Sequence, residues 1–386
     1  MKEKIKKIIP VSILQKIRRI DYIVLYKYYS LKEKQNKNKI LFLSDSRDNL
    51  TGNFKFIYEE LKKYNFELNL FLKKSIEEKK KFKEKKRLCK LIATAKFILV
   101  DDFYPIVYVL KLRKGTELIQ VWHAMGAFKK VGYSRMGKVG GPEKSSLTHK
   151  NYTAAIVSSE AIKKDYAEAF SIDISKIHSV GIPRTDVFFD KKYKEKIKQE
   201  LYIKYPMLKK KKVILFAPTF RGNGQSTAYY DFNLIDFKKL KQELKDEYVF
   251  ILKIHPFVKD LSKLPNDDNF YLNLSNEREI NDLLFITDIL ITDYSSVIFE
   301  NSLLNNKVIF FVPDLNEYIN TRDFYYDFSK YTYGDITYNM NELIKSIKSS
   351  KKQEKKLEEF KQYFCSSCDG NSTKKFVDEL IIKKQG

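Results

Sequence analysis

The sequence predicts an α/β protein of two doubly wound, Rossmann-like domains with a cleft between them. Three observations predict it. At 386 residues the chain is too long for one ordinary core and fits two α/β domains. From Lys39 onward, short apolar runs alternate with amphipathic ones, the pattern of a parallel sheet covered on both faces. A basic connector, Lys191 to Lys212, interrupts the alternation, which then restarts.

Taken in order, KILFLSDS from Lys39 reads as the first strand and Phe54 to Tyr64 as an amphipathic helix. FELNLFL is a second strand, Arg87 to Ala95 a helix, KFILVDD a third strand and ELIQVWH a fourth. TAAIVSS, a helix over Glu160 to Phe170, and HSVGIPRTD running into a turn complete the first domain. KVILFAPTF, YVFILKIHP, DILITDYSS and KVIFFVPD are the strands of the second. Its helices are expected near Asp236 to Leu244, Glu277 to Phe285, Tyr294 to Leu304 and Met340 to Ser349. The tail, Gln353 to Lys384, reads as two helical segments broken by CSSCDGNST. The domain limits read from this pattern are a basic segment over 1–38, a first domain over 39–190 and a second over 191–386.

The unusual residues fall at strand ends, where open α/β sheets bind ligands. Ile289 to Thr292 is an apolar run that meets Asp293, and Ser295 and Ser296 then open a helical pattern. The free N–H groups of such a helix start, beside two hydroxyls, suit an anion, most simply phosphate. Asp293 and Ser295 acting only as caps is the competing reading. Two of the four histidines end apolar strands, His123 before the turn AMGA and His255 before Pro256. A strand histidine is more often a core residue, but one at a strand end in each domain, both facing the cleft, points to a general base or a donor to phosphoryl oxygen. His149 and His178 have no such context. Gly126, with Lys129 and Lys130 after it, permits close backbone approach or simply makes the turn. Arg221, beside Gly222 and Gly224, suits bidentate pairing with phosphate or decorates a loop, and Arg184 after Pro183 carries the same two readings. Asp369 and Gly370 precede the helix start formed by Asn371, Ser372 and Thr373, and Asp369 counts among the substrate-binding candidates.

The formal charge of +24 calls for an anionic partner or reflects a solvated lysine-rich exterior. Residues 1–40 hold twelve lysines or arginines against three acids, interleaved with Ile5, Ile8, Ile9, Ile13, Leu14, Ile17, Ile20, Ile23, Val24, Tyr26 and Tyr29. That pattern favours an anionic membrane surface over nucleic acid, since no nucleic-acid motif accompanies the charge. No run is long and apolar enough to cross a bilayer, and Ile8 to Gln15 is too short for a cleaved leader, so an uncleaved cytosolic protein at the membrane face is expected. Cys89, Cys365 and Cys368 read as structural thiols, one CxxC being a weak zinc signal. No metal or cofactor is expected, with Asp101 and Asp102 read as a loop cap.

Together WHAMG, GIPR, APTFR, KIHP and ITDYSS, in this order, resemble the CDP-glycerol glycerophosphotransferase family, which builds wall teichoic acid and related polyol phosphate chains. The resemblance runs from about Lys39 to the C-terminus, and the ordered set is specific although no single piece is. It implies a GT-B-like fold, a nucleotide held mainly by the second domain and peripheral attachment to the membrane. By resemblance Trp122, His123, Ala124, Met125 and Gly126, with Lys253, Ile254 and His255, flank the transferred phosphate. Ser295 and Ser296 then hold the diphosphate, Arg184, Pro218, Thr219 and Glu300 complete the donor pocket, and His123 matches the family's proposed base. Ala124–Met125–Gly126 departs from the commoner Gly-Thr-Pro turn toward the ribitol-phosphate branch, leaving glycerol or ribitol as the polyol. The short segment before the first strand, where many polymerases carry a long extension, suits a primase or a capsule enzyme.

The expected reaction is in-line attack by an acceptor hydroxyl, deprotonated by His123, on the β-phosphorus of a CDP-polyol, with His255, Ser295 and Ser296 offsetting phosphoryl charge and CMP leaving. The acceptor is lipid-linked or a glycan. A glycosyltransferase with a sugar-nucleotide donor would use the same fold, and a basic nucleic-acid-binding protein is the reading from another class.

Overall fold

The computed structural model describes residues 9–138, 140–222, 227–265, 269–277, 279–349 and 351–385. Gly224 and residues 1–8, named above, lie outside them. The chain forms two compact units, Met1–Asp186 with Ser366–Gly386, and Val187–Cys365.

The first unit holds β1 (Asn36–Ser44), β2 (Glu67–Leu72), β3 (Ala95–Val100), β4 (Glu117–Gln120), β5 (Ala154–Ile156) and β6 (Ile177–His178). They pair in the order β2-β1-β3-β4-β5-β6, every pair parallel. Val100 lies opposite Leu43 on one side and Gln120 on the other, so the carboxyl ends of β1, β3 and β4 finish side by side. Phe42, Phe97, Leu99 and Ile119 from the sheet meet Phe54, Ile57 and Leu61 from the helix Gly52–Leu61 in one buried core.

Two parts of this unit lie outside the limits read from the sequence. Phe376, Val377 and Leu380 of the helix Ser372–Leu380 are fully buried in the first unit's core, although the tail was expected to complete the second domain. An apolar helical stripe declares that a partner exists, not which sheet supplies it. The segment before β1 is likewise part of the unit. Its helix Ile20–Lys32 buries Tyr22 and Tyr26 against the helix Phe82–Thr94. Cys89 Sγ reaches the Tyr22 carbonyl at 3.5 Å, Lys85 pairs with Asp21 at 2.5 Å, and the Arg113 N–H donates to the Tyr26 hydroxyl at 3.0 Å.

The second unit holds β7 (Lys212–Phe216), β8 (Tyr248–Leu252), β9 (Tyr271–Asn273), β10 (Ile289–Thr292), β11 (Lys307–Phe311) and β12 (Asp335–Thr337), ordered β12-β11-β10-β7-β8-β9 and again parallel. Strands β9 and β12 are three residues long and carry Asn273 and Asp335, so no apolar run announces them. The connector contains a helix, Lys191–Lys204, started by Asp190, whose carboxylate accepts from the Tyr193 N–H at 3.0 Å. None of its residues is buried, which is why apolar periodicity passes over it. The helix expected over Glu277 to Phe285 shortens to Ile280–Leu284, and the one after β10 begins at Val297.

Candidate active site

Each sheet winds outward from an internal strand. Its connections therefore part to opposite sides between β1 and β3 in the first unit and between β7 and β10 in the second. Ligands of open α/β sheets bind beyond the strand carboxyl ends at such points.

In the first unit β4 ends at Gln120, and the turn after it is held from several sides. Gln120 Oε1 accepts the Trp122 N–H at 2.8 Å, and Asn53 Nδ2 donates to the carbonyls of Val121 and Trp122, both at 2.9 Å. These bonds hold Trp122 at φ +48°, a left-handed conformation rarely adopted by a bulky side chain. Gly126, at φ +68°, donates to Ser158 Oγ at 3.1 Å and accepts from the Tyr166 hydroxyl at 2.7 Å, a position where a Cβ would be strained. Behind the turn Gln120 Nε2 donates to the Tyr152 hydroxyl at 2.8 Å, which lies 2.7 Å from Tyr108 Oη and 3.2 Å from His149 Nδ1. Trp122, Met125 and Gly126 are thus buried framework, while His123 is exposed and Ala124 half-buried.

The His123 ring lies over Trp122 at 4.4 Å. Its Nδ1 is 3.2 Å from the Asp101 carbonyl oxygen and 3.7 Å from Asp102 Oδ2. A carbonyl only accepts, so Nδ1 carries the proton and Nε2 presents its lone pair outward, the tautomer a general base needs. Asp102 caps its loop, accepting the Phe103 N–H at 2.7 Å, and also stands where it steadies a His123 cation. Asp101 is buried against Arg47, and burial raises its pKa despite that cation.

Asn53 also joins the two turns, because its Oδ1 accepts the Arg184 N–H at 3.1 Å. Asp186 then accepts the N–H groups of Ser372 and Thr373 at 2.9 and 2.8 Å. The helix start beside Asp369 therefore already holds an internal carboxylate. Asp369 itself accepts from the Asn371 N–H at 3.1 Å and pairs with Lys375 at 2.7 Å. Burial opposes its ionisation, Lys375 and the Asn371 N–H together more than offset that, and its pKa falls. The sequence makes Asp369 a substrate-binding candidate, but in the fold it is satisfied by its own turn and the helix that follows.

In the second unit the loops after β8, β7 and β10 lie on adjacent strands. Asp293 Oδ1 accepts the N–H groups of Thr219 at 2.7 Å and Tyr294 at 2.6 Å, tying the two loops of the switch point together. Arg221 lies across that tie. Its Nη1 donates to Asp293 Oδ2 at 2.9 Å, and its Nε and Nη2 donate to Asp314 at 2.7 and 3.1 Å. It also stacks over Tyr318 and Tyr294 at 4.8 and 5.0 Å. Burial opposes the guanidinium's charge, Asp293 and then Asp314 more than offset it, and its pKa is driven up. Arg221 thus braces the loop with its donors largely spent, a correction to the expected phosphate fork.

Pro218, Thr219 and Glu300 are buried, whereas Ser295 and Ser296 are half-exposed at the switch point. Ser295 Oγ accepts a long bond from the Val297 N–H, at 3.4 Å. Lys253, 7% exposed, turns from the solvent to the carbonyls of Ser275 and Glu277, and burial lowers its pKa to about 8. Expected to flank phosphate, it instead fastens the end of β8 to the loop after β9, as does Ile254, buried, whose N–H donates to Ser275 Oγ at 3.1 Å. His255 Nδ1 accepts the Phe257 N–H at 3.2 Å, so in the neutral ring Nε2 carries the proton and is a donor. The two strand-end histidines are therefore held in opposite tautomers. A cavity of about 490 Å³ lies beside these loops, lined by Arg221, Tyr230, Asp314 and Tyr318, within the size range of small-molecule sites.

The residues missed from sequence are the positioning ones. Gln120, a polar residue inside LIQV, and Asp314, which ends the apolar run KVIFFVPD, were the visible signals; Asn53 had none. Among the described residues no three His, Cys, Asp or Glu side chains converge as a metal site, and no helix is long and apolar enough to cross a membrane.

Two parallel six-stranded α/β units with their distinctive residues at the strand carboxyl ends define a GT-B-like fold. A structure of the wall teichoic acid polymerase TagF shares it, with a TM-score of 0.76 at 24% identity over 97% of this chain and 98% of that one. Residues 25–382 match the model of the CDP-glycerol:poly(glycerophosphate) glycerophosphotransferase family, and the chain belongs to that family. It is similar to the teichoic acid poly(ribitol-phosphate) polymerase of Bacillus spizizenii, 50% identical over 90% of this chain and 57% of the relative. It is also similar to the teichoic acid ribitol-phosphate primase of the same organism, 38% identical over 92% of this chain and 93% of the relative. The chain thus spans little more than half of the first relative and almost all of the second.

Proposed function

We propose that this chain transfers ribitol phosphate from CDP-ribitol to a hydroxyl of a lipid-linked or glycan acceptor, releasing CMP, in teichoic acid or capsule-type polymer synthesis. The observation that carries the reading is the opposite tautomers of the two strand-end histidines. The acceptor hydroxyl gives its proton to His123 Nε2 as its oxygen attacks the β-phosphorus. The new P–O bond forms as the bond to the bridging oxygen breaks, and that oxygen leaves with CMP. His255 Nε2–H, with the Ser295 and Ser296 hydroxyls, offsets charge on the phosphoryl oxygens, the service phosphoryl transfer most needs. Pro218, Thr219 and Glu300 complete the second unit's share of the donor pocket in this reading. Ribitol is favoured over glycerol by the Ala124–Met125–Gly126 turn and by the ribitol-phosphate relatives.

We also propose that the protein works on the cytoplasmic face of the membrane. Ile17, Val24 and Leu31 are 58, 59 and 81% exposed, and Ile13, Ile20 and Tyr28 continue the same outward stripe. Lys16, Arg18, Arg19, Lys27, Lys32 and Lys34 flank it. Exposed apolar side chains bordered by cations suit an anionic bilayer surface.

The test is release of CMP by the purified protein from CDP-ribitol and from CDP-glycerol, each with a lipid-linked acceptor. Acceptor-dependent CMP from CDP-ribitol is expected. UDP or GDP released from a sugar nucleotide, with no CMP, assigns a glycosyltransferase instead.

A further inference from the structure

We propose that the basic cavity beyond β1, β2 and β3 binds a phosphate group carried on a membrane lipid, and so holds the lipid end of the acceptor. This rests on the lipid-linked acceptor proposed above. The cavity, about 380 Å³, is lined by Arg18, Arg19, Tyr22, Lys79 and Lys85, with Asp45 among them. Its place is a binding place: Asp45 follows β1, Lys79 lies in the loop after β2, and Pro105 and Ile106 follow β3, at the first sheet's switch point.

Its charges do not cancel. Lys80 is committed to Asp45 at 2.7 Å, Lys85 to Asp21 at 2.5 Å, and Glu78 to Lys73 at 2.6 Å. Glu77 also lines the cavity. Arg18, Arg19 and Lys79 have no carboxylate partner among the described residues, and Arg19 reaches only the Gln15 carbonyl of its own helical segment, at 3.5 Å. Partial burial, then the adjacent Arg18, lower the Arg19 pKa, and both arginines line the one cavity, where a bound anion would offset their charge. A guanidinium fork matches phosphate bidentately.

The apolar surroundings select a lipid-borne phosphate over a free one. Ile17 and Ile20, on either side of the two arginines, are more than half exposed, so the outward stripe runs to the arginines that line the cavity. A phosphate seated there would leave its hydrocarbon chain beside apolar side chains already facing the bilayer.

The full-length protein is sedimented with phosphatidylcholine vesicles containing either a polyprenyl diphosphate or phosphatidylserine at equal surface charge. Preference for the diphosphate vesicles by about tenfold is expected, a difference of about 1.4 kcal/mol. Arg18→Gln with Arg19→Gln, and separately Lys79→Gln in its exposed loop, should abolish the preference. Lys34→Gln, outside the cavity, should weaken both vesicle types equally. Equal binding of the parent to the two vesicle types, or a preference that survives both cavity variants, overturns the site. Inorganic pyrophosphate binding as tightly as the lipid in calorimetry overturns the lipid assignment. No nucleotide enters the assay, so a protein that discriminates the vesicles yet releases no CMP keeps the site and loses the transferase reading.

Discussion

The side-chain amide nitrogen of Asn53 lies 2.9 Å from the carbonyl oxygen of Trp122, coupling the first turn of a helix to the strained turn that presents His123. The same side chain accepts the Arg184 N–H, so one residue sets the spacing of two motifs that lie 62 positions apart, Trp122 and Arg184. Asn53→Leu leaves two buried carbonyls without their donor and one N–H without its acceptor. A loss of about 1–3 kcal/mol in unfolding free energy is expected, together with slower transfer, measured by urea denaturation and CMP release. Unchanged stability with unchanged turnover would remove Asn53 from this role.

His123→Ala should abolish transfer without unfolding the protein. The side chain is 42% exposed and makes one ring nitrogen contact, so its stability cost should stay near 0.5 kcal/mol, whereas a positioned base contributes roughly 10²–10⁴ in rate. Turnover near that of the parent sinks the general-base assignment.

Arg221→Ala tests whether the guanidinium is a brace or a ligand. Removing it strands Asp293, 1% exposed, as an uncompensated buried charge, with an expected cost of about 3–5 kcal/mol in thermal or urea unfolding. A variant that keeps its stability and loses only CDP-polyol affinity would return Arg221 to the phosphate site.

His149 makes stability depend on acid. It is fully buried among Phe103, Tyr108, Tyr152 and Phe170, and burial depresses its pKa from 6.5 to about 3. Between those values the unfolded chain binds a proton that the folded chain refuses. Stability is therefore full above about pH 6.5 and falls as pH drops toward 3, by up to a few kcal/mol from this group. His149→Phe should flatten that part of the stability curve relative to the parent, read by urea denaturation at pH 4.5 and 7. Parallel curves for the two proteins would show that another group is responsible.

Membrane attachment is best tested on the outward stripe rather than by removing the segment, since Tyr22 and Tyr26 are part of the first unit's packing. Val24→Glu with Leu31→Glu should lower binding to anionic vesicles at least tenfold, each side chain being worth about 1.5–3 kcal/mol when buried in apolar surroundings. Circular dichroism should stay unchanged because both side chains already face out. Undiminished vesicle binding would assign attachment to another surface.

Much of the fold was legible. Apolar runs such as VILF, FILV and ILIT, short and rich in β-branched and aromatic residues, read as buried strands, and their alternation with amphipathic runs points to parallel pairing, so two doubly wound sheets followed without a structure. The candidate residues were legible as types at strand ends: His123, His255, Ser295 and Ser296 stand out because such residues rarely follow apolar runs. The short strands β9 and β12 and the exposed helix Lys191–Lys204 left no such pattern, having too little apolar surface to generate a period.

What the sequence alone determined, then, is the class of fold and the ordered set of strand-end residues, which follow from local periodicity and residue chemistry, and the family, which follows from the resemblance of that ordered set to known sequences. Only the tertiary structure decided what each polar side chain spends itself on. Arg221, Lys253 and Asp369 read from the sequence like ligands, yet each is consumed by a partner inside its own unit. Arg221 meets Asp314 from 93 positions away, and Lys253 meets the Ser275 carbonyl from 22. It decided as well that the helix Ser372–Leu380 closes the first core, nearly two hundred residues after that core's last strand. The reason is the same in each case. A polar side chain or an apolar face states a need, and long-range packing, which no local pattern encodes, decides which group meets it.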